Sequence, residues 1–235
     1  MGQVSNRQGG ASPHRYVIHV NGGLQSGNEE FRRTFEFRSY GEDARFDEAH
    51  RSESGGLFDI GGSVAVWTEL SVGVSYTQLS KADTTVLTGR VPHPTATNAP
   101  RTIDPQTVSL AHQERAAHVF AAWAVPLDEK MTLSLFGGPS FFGLTQGVVT
   151  GVDLSEVGGP PWPEVRVGGV SSGDFKKNGV GMHAGVDIRY MFTERVGIGG
   201  FVRYTKASVD LASAEGNRPL NVGGIQSGGG LRVRF

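Results

Sequence analysis

Gly228-Gly229-Gly230-Leu231-Arg232-Val233-Arg234-Phe235 closes the chain, and its alternation decides the fold. In an extended strand Leu231, Val233 and Phe235 share one face, while Gly230, Arg232 and Arg234 share the other. The chain then stops on an aromatic residue, with no polar tail. In water an apolar strand edge at a terminus invites aggregation. The closing strand of a membrane barrel has a use for it: one face meets lipid, the other a polar interior, and the edge pairs with strand one.

The same period of two recurs upstream. Tyr16, Ile18, Val20 and Leu24 oppose His19, Asn21 and Gln25. Phe58, Ile60, Val64 and Val66 oppose Asp59, Gly61, Ser63, Ala65 and Trp67. Further runs are led by Leu70–Tyr76, Ala117–Val125, Leu133–Phe141, Val180–Phe192 and Val196–Tyr204, and the closing strand makes eight. Runs two and three, four and five, and six and seven are joined by a few residues each. Long polar segments separate the others: 26–56, 80–116, 146–177 and 207–219. Short turns on one rim and long loops on the other are the architecture of outer-membrane barrels, with both chain ends on the periplasmic rim.

Within the first long segment Phe31 to Tyr40 also alternates, and Gly41-Glu42-Asp43 turns toward Ala44–His50. Counting both pieces gives ten strands. Arg45, Asp47 and Ala49 on one face and Phe46, Glu48 and His50 on the other leave no lipid-compatible side, so this piece reads as a hairpin above the membrane. Eight strands are expected, with ten as the alternative.

Composition bounds the function. The chain has 235 residues, 22 basic and 23 acidic side chains and a formal charge of -1, which gives no electrostatic case for nucleic-acid binding. Cysteine is absent, excluding disulfides, thiol chemistry and cysteine-bound zinc. Glycine, at 35 residues, is the outlier and suits tightly curved β structure. A mean hydropathy of -0.23 looks soluble, but only alternate residues of a barrel strand face lipid. No window approaches a transmembrane helix. No signal peptide is visible at Met1-Gly2-Gln3; either it was removed and a start Met added, which is the expectation for an outer-membrane barrel, or the protein is not exported. Residues 1–14 read as a disordered tail and 15–235 as one barrel domain.

From about Arg15 to Phe235 the chain resembles the small eight-stranded outer-membrane β-barrels of Gram-negative bacteria, similar to the barrel domain of outer-membrane protein A. The most specific element is the carboxy-terminal assembly signal, matched by Gly230, Val233 and Phe235; Gly228 stands where the family prefers a polar residue. The resemblance implies folding by the barrel-assembly machinery into outer-membrane lipid. No peptidoglycan-binding domain follows, so a wall-anchoring role is not carried over.

The inward phase carries the candidate site: Asp59, His183, Asp187, Arg189, Arg203, Arg232 and Arg234. Barrels of this size are filled by their side chains. The favoured reading is an ion-pair network that plugs the lumen; a narrow anion path and a catalytic use of Asp187 with His183 are the alternatives. His112, Glu114 and His118 alternate near Ser109, but no Gly-x-Ser-x-Gly elbow occurs and the spacing is not a trusted zinc set. Arg90-Val91-Pro92-His93-Pro94 and Gly159-Pro160-Pro161-Trp162-Pro163 read as stiffened loops, with Trp162 as a candidate contact for a partner. Trp67, Trp123, Tyr190, Phe192 and Phe235 sit where an interfacial girdle belongs, although Trp67 falls on the lumenal phase. The expectation is therefore a monomeric integral outer-membrane barrel with a structural or surface-interaction role, not an enzyme, without cofactor, metal or nucleic acid. A narrow solute pore is the alternative, and a soluble lipocalin-like barrel with reversed faces is the third reading.

Overall fold

The first strand is hydrogen-bonded along its length to the C-terminal half of the last. In the computed structural model, which describes residues 15–26, 30–51, 53–213 and 216–235, β1 (Tyr16–Gln25) runs antiparallel to β11 (Gly216–Arg234). Val17 lies opposite Arg234, and Gln25 opposite Gln226. Tyr16 and Phe235 exchange backbone bonds at 3.1 and 3.0 Å. The 1–14 tail lies outside the described residues.

From this seam the wall continues through β4 (Gly55–Ala65), β5 (Leu70–Val91), β7 (Gln106–Pro126), β8 (Met131–Val157), β9 (Glu164–Met191) and β10 (Val196–Ser213), which returns to β11. Every neighbour is antiparallel and the circuit closes. Eight strands therefore form the barrel. Closure satisfies both edges of every strand, as hydrocarbon requires.

Three four-residue links join strands at one rim, and side chains cap two of them. Asp128 Oδ1 accepts the N–H groups of Lys130 and Met131, both at 2.7 Å. Thr193 Oγ1 accepts those of Arg195 and Val196 at 3.3 and 3.0 Å. Short polar side chains close such turns by substituting for a backbone acceptor. Trp67 lies in the third link, 71% exposed. It belongs to the rim rather than the lumen, which removes its conflict of phase.

The opposite rim differs from the sequence expectation of long loops. The segments 80–116 and 146–177 are mostly continued strand: β5, β7, β8 and β9 run for 22, 21, 27 and 28 residues. The 26–56 segment contains a hairpin, β2 (Glu30–Ser39) and β3 (Glu42–Arg51), and two-residue β6 (Arg101–Thr102) pairs with the top of β5. Tyr40 and Gly41 both take positive φ, 50° and 81°, as a two-residue primed turn demands. β4 occupies one edge of β5 from Ser71 to Ser80; β3 takes over that edge from Thr84 to Arg90. The hairpin thus extends the wall upward without enlarging the eight-stranded circuit.

The two faces of the wall exchange character with height. In the part of the wall that begins at the short links, Val74, Val180 and Met182 point outward with exposures of 60, 67 and 72%, and every barrel strand contributes similar apolar residues. Higher on the same outward faces stand Ser80, Gln113 and Arg115, Lys176 and Asn178. The inward face changes the opposite way. Asn21, Asp59, Thr77, Arg203 and Arg232 are buried below, whereas Ala44, Phe46, Leu87, Val91, Ile103 and Val165 form a buried apolar core above. Phe35, Phe37 and Phe46 stack there with centroids 5.4 to 6.5 Å apart. Below, the wall is apolar outside and polar inside; above, it is polar outside and apolar inside.

Glycine permits the closing seam. A Cβ on Gly230 would overlap the Val20 carbonyl oxygen across the β1–β11 junction. Gly230→Val is expected to destabilise the barrel by at least the 1–3 kcal/mol typical of overpacking, read as a lower urea midpoint in detergent. An unchanged midpoint would show that the seam has slack.

Candidate functional site: the polar column of the lumen

The apolar belt covers about ten residues of each strand, enough for the roughly 25 Å band of an outer-membrane barrel. It comprises residues 16–25, 56–65, 70–78, 117–126, 132–142, 180–191, 196–206 and 225–235. Each inward side chain follows from strand parity, so residues far apart in sequence meet across the lumen.

Asp187 of β9 pairs with Arg232 of β11, which also donates to Asn21 Oδ1 on β1. Asn21 Nδ2 donates to Asp59 Oδ1 at 2.9 Å, and His19 Nε2 approaches the same oxygen at 3.2 Å. Asp59 Oδ2 accepts from Thr77 Oγ1 at 2.8 Å and from Arg203 Nη1 at 3.3 Å. Arg203 Nη2 donates to Thr77 at 2.7 Å and its Nε to Gln226 Oε1 at 2.8 Å. Gln226 passes the chain to Gln25 at 2.6 Å, and Gln25 Nε2 reaches Glu114 at 3.4 Å. One connected column thus runs through the belt. Gly199 makes room for it: a Cβ there would stand 2.8 Å from the Arg232 guanidinium carbon.

Above the belt the column ends in His112, held between two carboxylates. Its Nε2 lies 2.7 Å from Glu114 and its Nδ1 2.9 Å from Asp83, with Gln146 also in contact. Burial pushes the imidazolium down, but the bonds to Asp83 and Glu114 outweigh it and carry His112 up to about 9. Burial likewise pushes Asp83 up, and His112 more than reverses it, leaving Asp83 below its ordinary value.

Of the seven inward residues singled out in the sequence, Asp59, Asp187, Arg203 and Arg232 join this column. His183 does not. Its Nδ1 shares Ser140 Oγ with His118 Nδ1, at 2.8 and 2.7 Å, and the two rings meet edge to face. Arg189 lines a cavity below, and Arg234 lies half-buried at the rim. Of the terminal signal residues, Gly230 faces inward, Val233 pairs with Val196 of β10, and Phe235 is exposed at the rim. The His112–Glu114–Ser109 grouping separates: the histidine and glutamate are buried, whereas Ser109 points outward. Thr77, Gln226 and Asp83 are column members that sequence reasoning missed. Neutral Thr77 and Gln226 carry no charge signal, and Asp83 sat in a segment expected to be loop.

At the tall rim Arg101 ties the connections together. It pairs with Glu156 and donates to the Pro92 and Trp162 carbonyl oxygens, both at 3.0 Å. Tyr40 donates to Glu156 at 2.9 Å. The Pro-rich pieces are thereby ordered against one another, with Trp162 partly buried.

No family model and no curated protein matches the chain. Solved structures similar to it are small outer-membrane barrels. OprG from Pseudomonas aeruginosa has 10% identity and a TM-score of 0.49, with 96% of this chain and 98% of that one covered. Neisserial surface protein A has 16% identity and a TM-score of 0.44, covering 94% and 96%. The outer-membrane protease OmpT from Escherichia coli has 11% identity and a TM-score of 0.47, covering 98% and 100%. The closed circuit of eight strands stands on its own hydrogen-bonded pairs.

Asp59→Ala leaves Arg203 buried without its carboxylate and is expected to cost about 3–5 kcal/mol. Asp59→Leu with Arg203→Met is expected to recover most of that, measured by urea unfolding in detergent. Because His112 titrates higher folded than unfolded, its stabilisation is complete below pH 6.5 and lost as pH rises through about 9. Unfolding midpoints should fall across that window, and His112→Gln should remove that component of the slope.

Proposed function

We propose that this chain is an integral, monomeric protein of the bacterial outer membrane, plugged by its polar column and serving a structural or surface-interaction role. The observation that carries the reading is the exchange of faces: a continuous apolar belt around a charged, side-chain-filled lumen. Such a belt is far larger than the few hundred Å² of contiguous apolar surface typical of soluble monomers. A soluble lipocalin-like barrel would need the reverse arrangement inside the belt. The short links then face the periplasm, and the tall strands with the β2–β3 hairpin stand outside the cell. Folding would pass through the barrel-assembly machinery, which would read Gly230, Val233 and Phe235.

The tall rim supports the surface role. Its strands carry a dry core of their own, so they present a firm platform rather than mobile loops. The lumen needs no metal, cofactor or nucleic acid for this role, and we assign it no catalytic step. The column also argues against the narrow-pore alternative, because buried side chains linked from Asp187 to His112 occupy the path an ion would take.

Reconstitution into planar bilayers tests the plug. The wild-type protein should be electrically silent, while steady unitary currents would establish a pore instead. Extraction of the folded protein into buffer without detergent would remove the membrane reading altogether.

A further inference from the structure

Below the column, near the short-link rim, the lumen holds a cavity of about 70 Å³. Three arginines line it, Arg189, Arg203 and Arg232, against two aspartates, Asp59 and Asp187. Both carboxylates are committed: Asp59 to Arg203 at 3.3 Å, and Asp187 to Arg232. Among the described residues Arg189 has no ion pair, and its buried Nε has no hydrogen-bond partner. Ser63, Ser75 and Ser134 bring hydroxyls to the same cavity.

Arg189 is half-buried with its Nε buried and unpartnered, and an anion with acceptor oxygens would satisfy that donor and offset the third arginine's charge. The planar fork of arginine fits an oxyanion on two donors at once. Hydroxyls add neutral donors without adding repulsion. The cavity exceeds the roughly 10–15 Å³ of such volume that one water needs, which leaves room for a small polyatomic anion.

We propose that this cavity is a binding site for a small soluble oxyanion, such as phosphate or a carboxylate, with Arg189 as its principal ligand. The site goes beyond the plug reading while resting with it on the same inward orientation of the charged residues. It is a pocket entered from one rim, with the column above it still closed. The lumen is then a vestibule that retains an anion without passing it through.

The test uses the full chain refolded in phosphatidylcholine vesicles, which contribute no net anionic headgroup, with inorganic phosphate as the probe. Calorimetric titration against chloride at matched ionic strength should show saturable phosphate binding. A ligand bound only by the folded state also raises the unfolding midpoint, which gives a second readout. Arg189→Gln should weaken binding about tenfold or more, whereas Arg166→Gln, an exposed arginine near the tall rim, should leave it unchanged. Should Arg189→Gln fail to fold, Arg189→Lys keeps the charge but loses the fork, and affinity should fall several-fold.

Phosphate binding no stronger than that of chloride, or undiminished in the Arg189 variants, overturns the proposal. Vesicles containing phosphatidylglycerol separate the sources: phosphate should still titrate the same site there. Occupation by the headgroup, blocking added phosphate, would overturn the soluble ligand. Failure here would leave the bilayer recordings silent, so loss of the anion site and loss of the plug are distinguishable.

Discussion

Hydrocarbon leaves no partner for an unpaired backbone N–H or C=O, and the rest of this structure depends on that constraint. The seam between Tyr16–Gln25 and the end of the chain satisfies it. Once β1 and β11 are joined, each strand has two neighbours and no edge remains inside the belt. Gly228 and Gly230 serve this junction, because backbone approaches backbone there more closely than a side chain allows. Closure around eight strands also fixes the lumen as a space that side chains fill.

Closure then dictates what fills it. With lipid outside, the apolar residues of each strand turn outward and the polar ones inward. Arginine and aspartate become tolerable there only through mutual pairing, as Asp59 with Arg203 and Asp187 with Arg232. Such pairs cost desolvation, and the neutral links Asn21, Thr77, Gln226 and Gln25 satisfy hydrogen-bonding capacity that the ion pairs leave over. Above the belt, water replaces lipid and the ordinary arrangement returns. Phe46, Leu87, Val91 and Val165 go inside, and the outward faces become polar. One protein thus carries two opposite burial patterns on continuous strands.

Much of this is legible in the sequence. Parity alone placed Val186, Ile188 and Tyr190 outside and Asp187, Arg189, Arg203 and Arg232 inside. The strand ends were not read, for a physical reason. In β5 the apolar residues lie at even positions through Val72, Val74 and Tyr76, then at odd positions at Leu79, Leu87 and Val91. The same change appears in β9, from Val165 and Val167 to Val180 and Met182. A shift of phase looks like the end of a strand when one solvent is assumed. It marks the membrane boundary when the strand crosses between two. Partner choice within the lumen was hidden for another reason: pairing depends on barrel shear, which residue parity does not encode.

Absence of cysteine permits a direct measurement of that boundary. Single cysteines placed in turn from Asp174 to Tyr190 of β9, in the protein folded in vesicles, can be probed with a water-soluble and a lipid-soluble thiol reagent. The account requires even positions 174–178 to react with the former and even positions 180–190 with the latter, with odd positions 179–185 protected from both. Uniform reaction with the water-soluble reagent along all even positions would place the belt in water and contradict it.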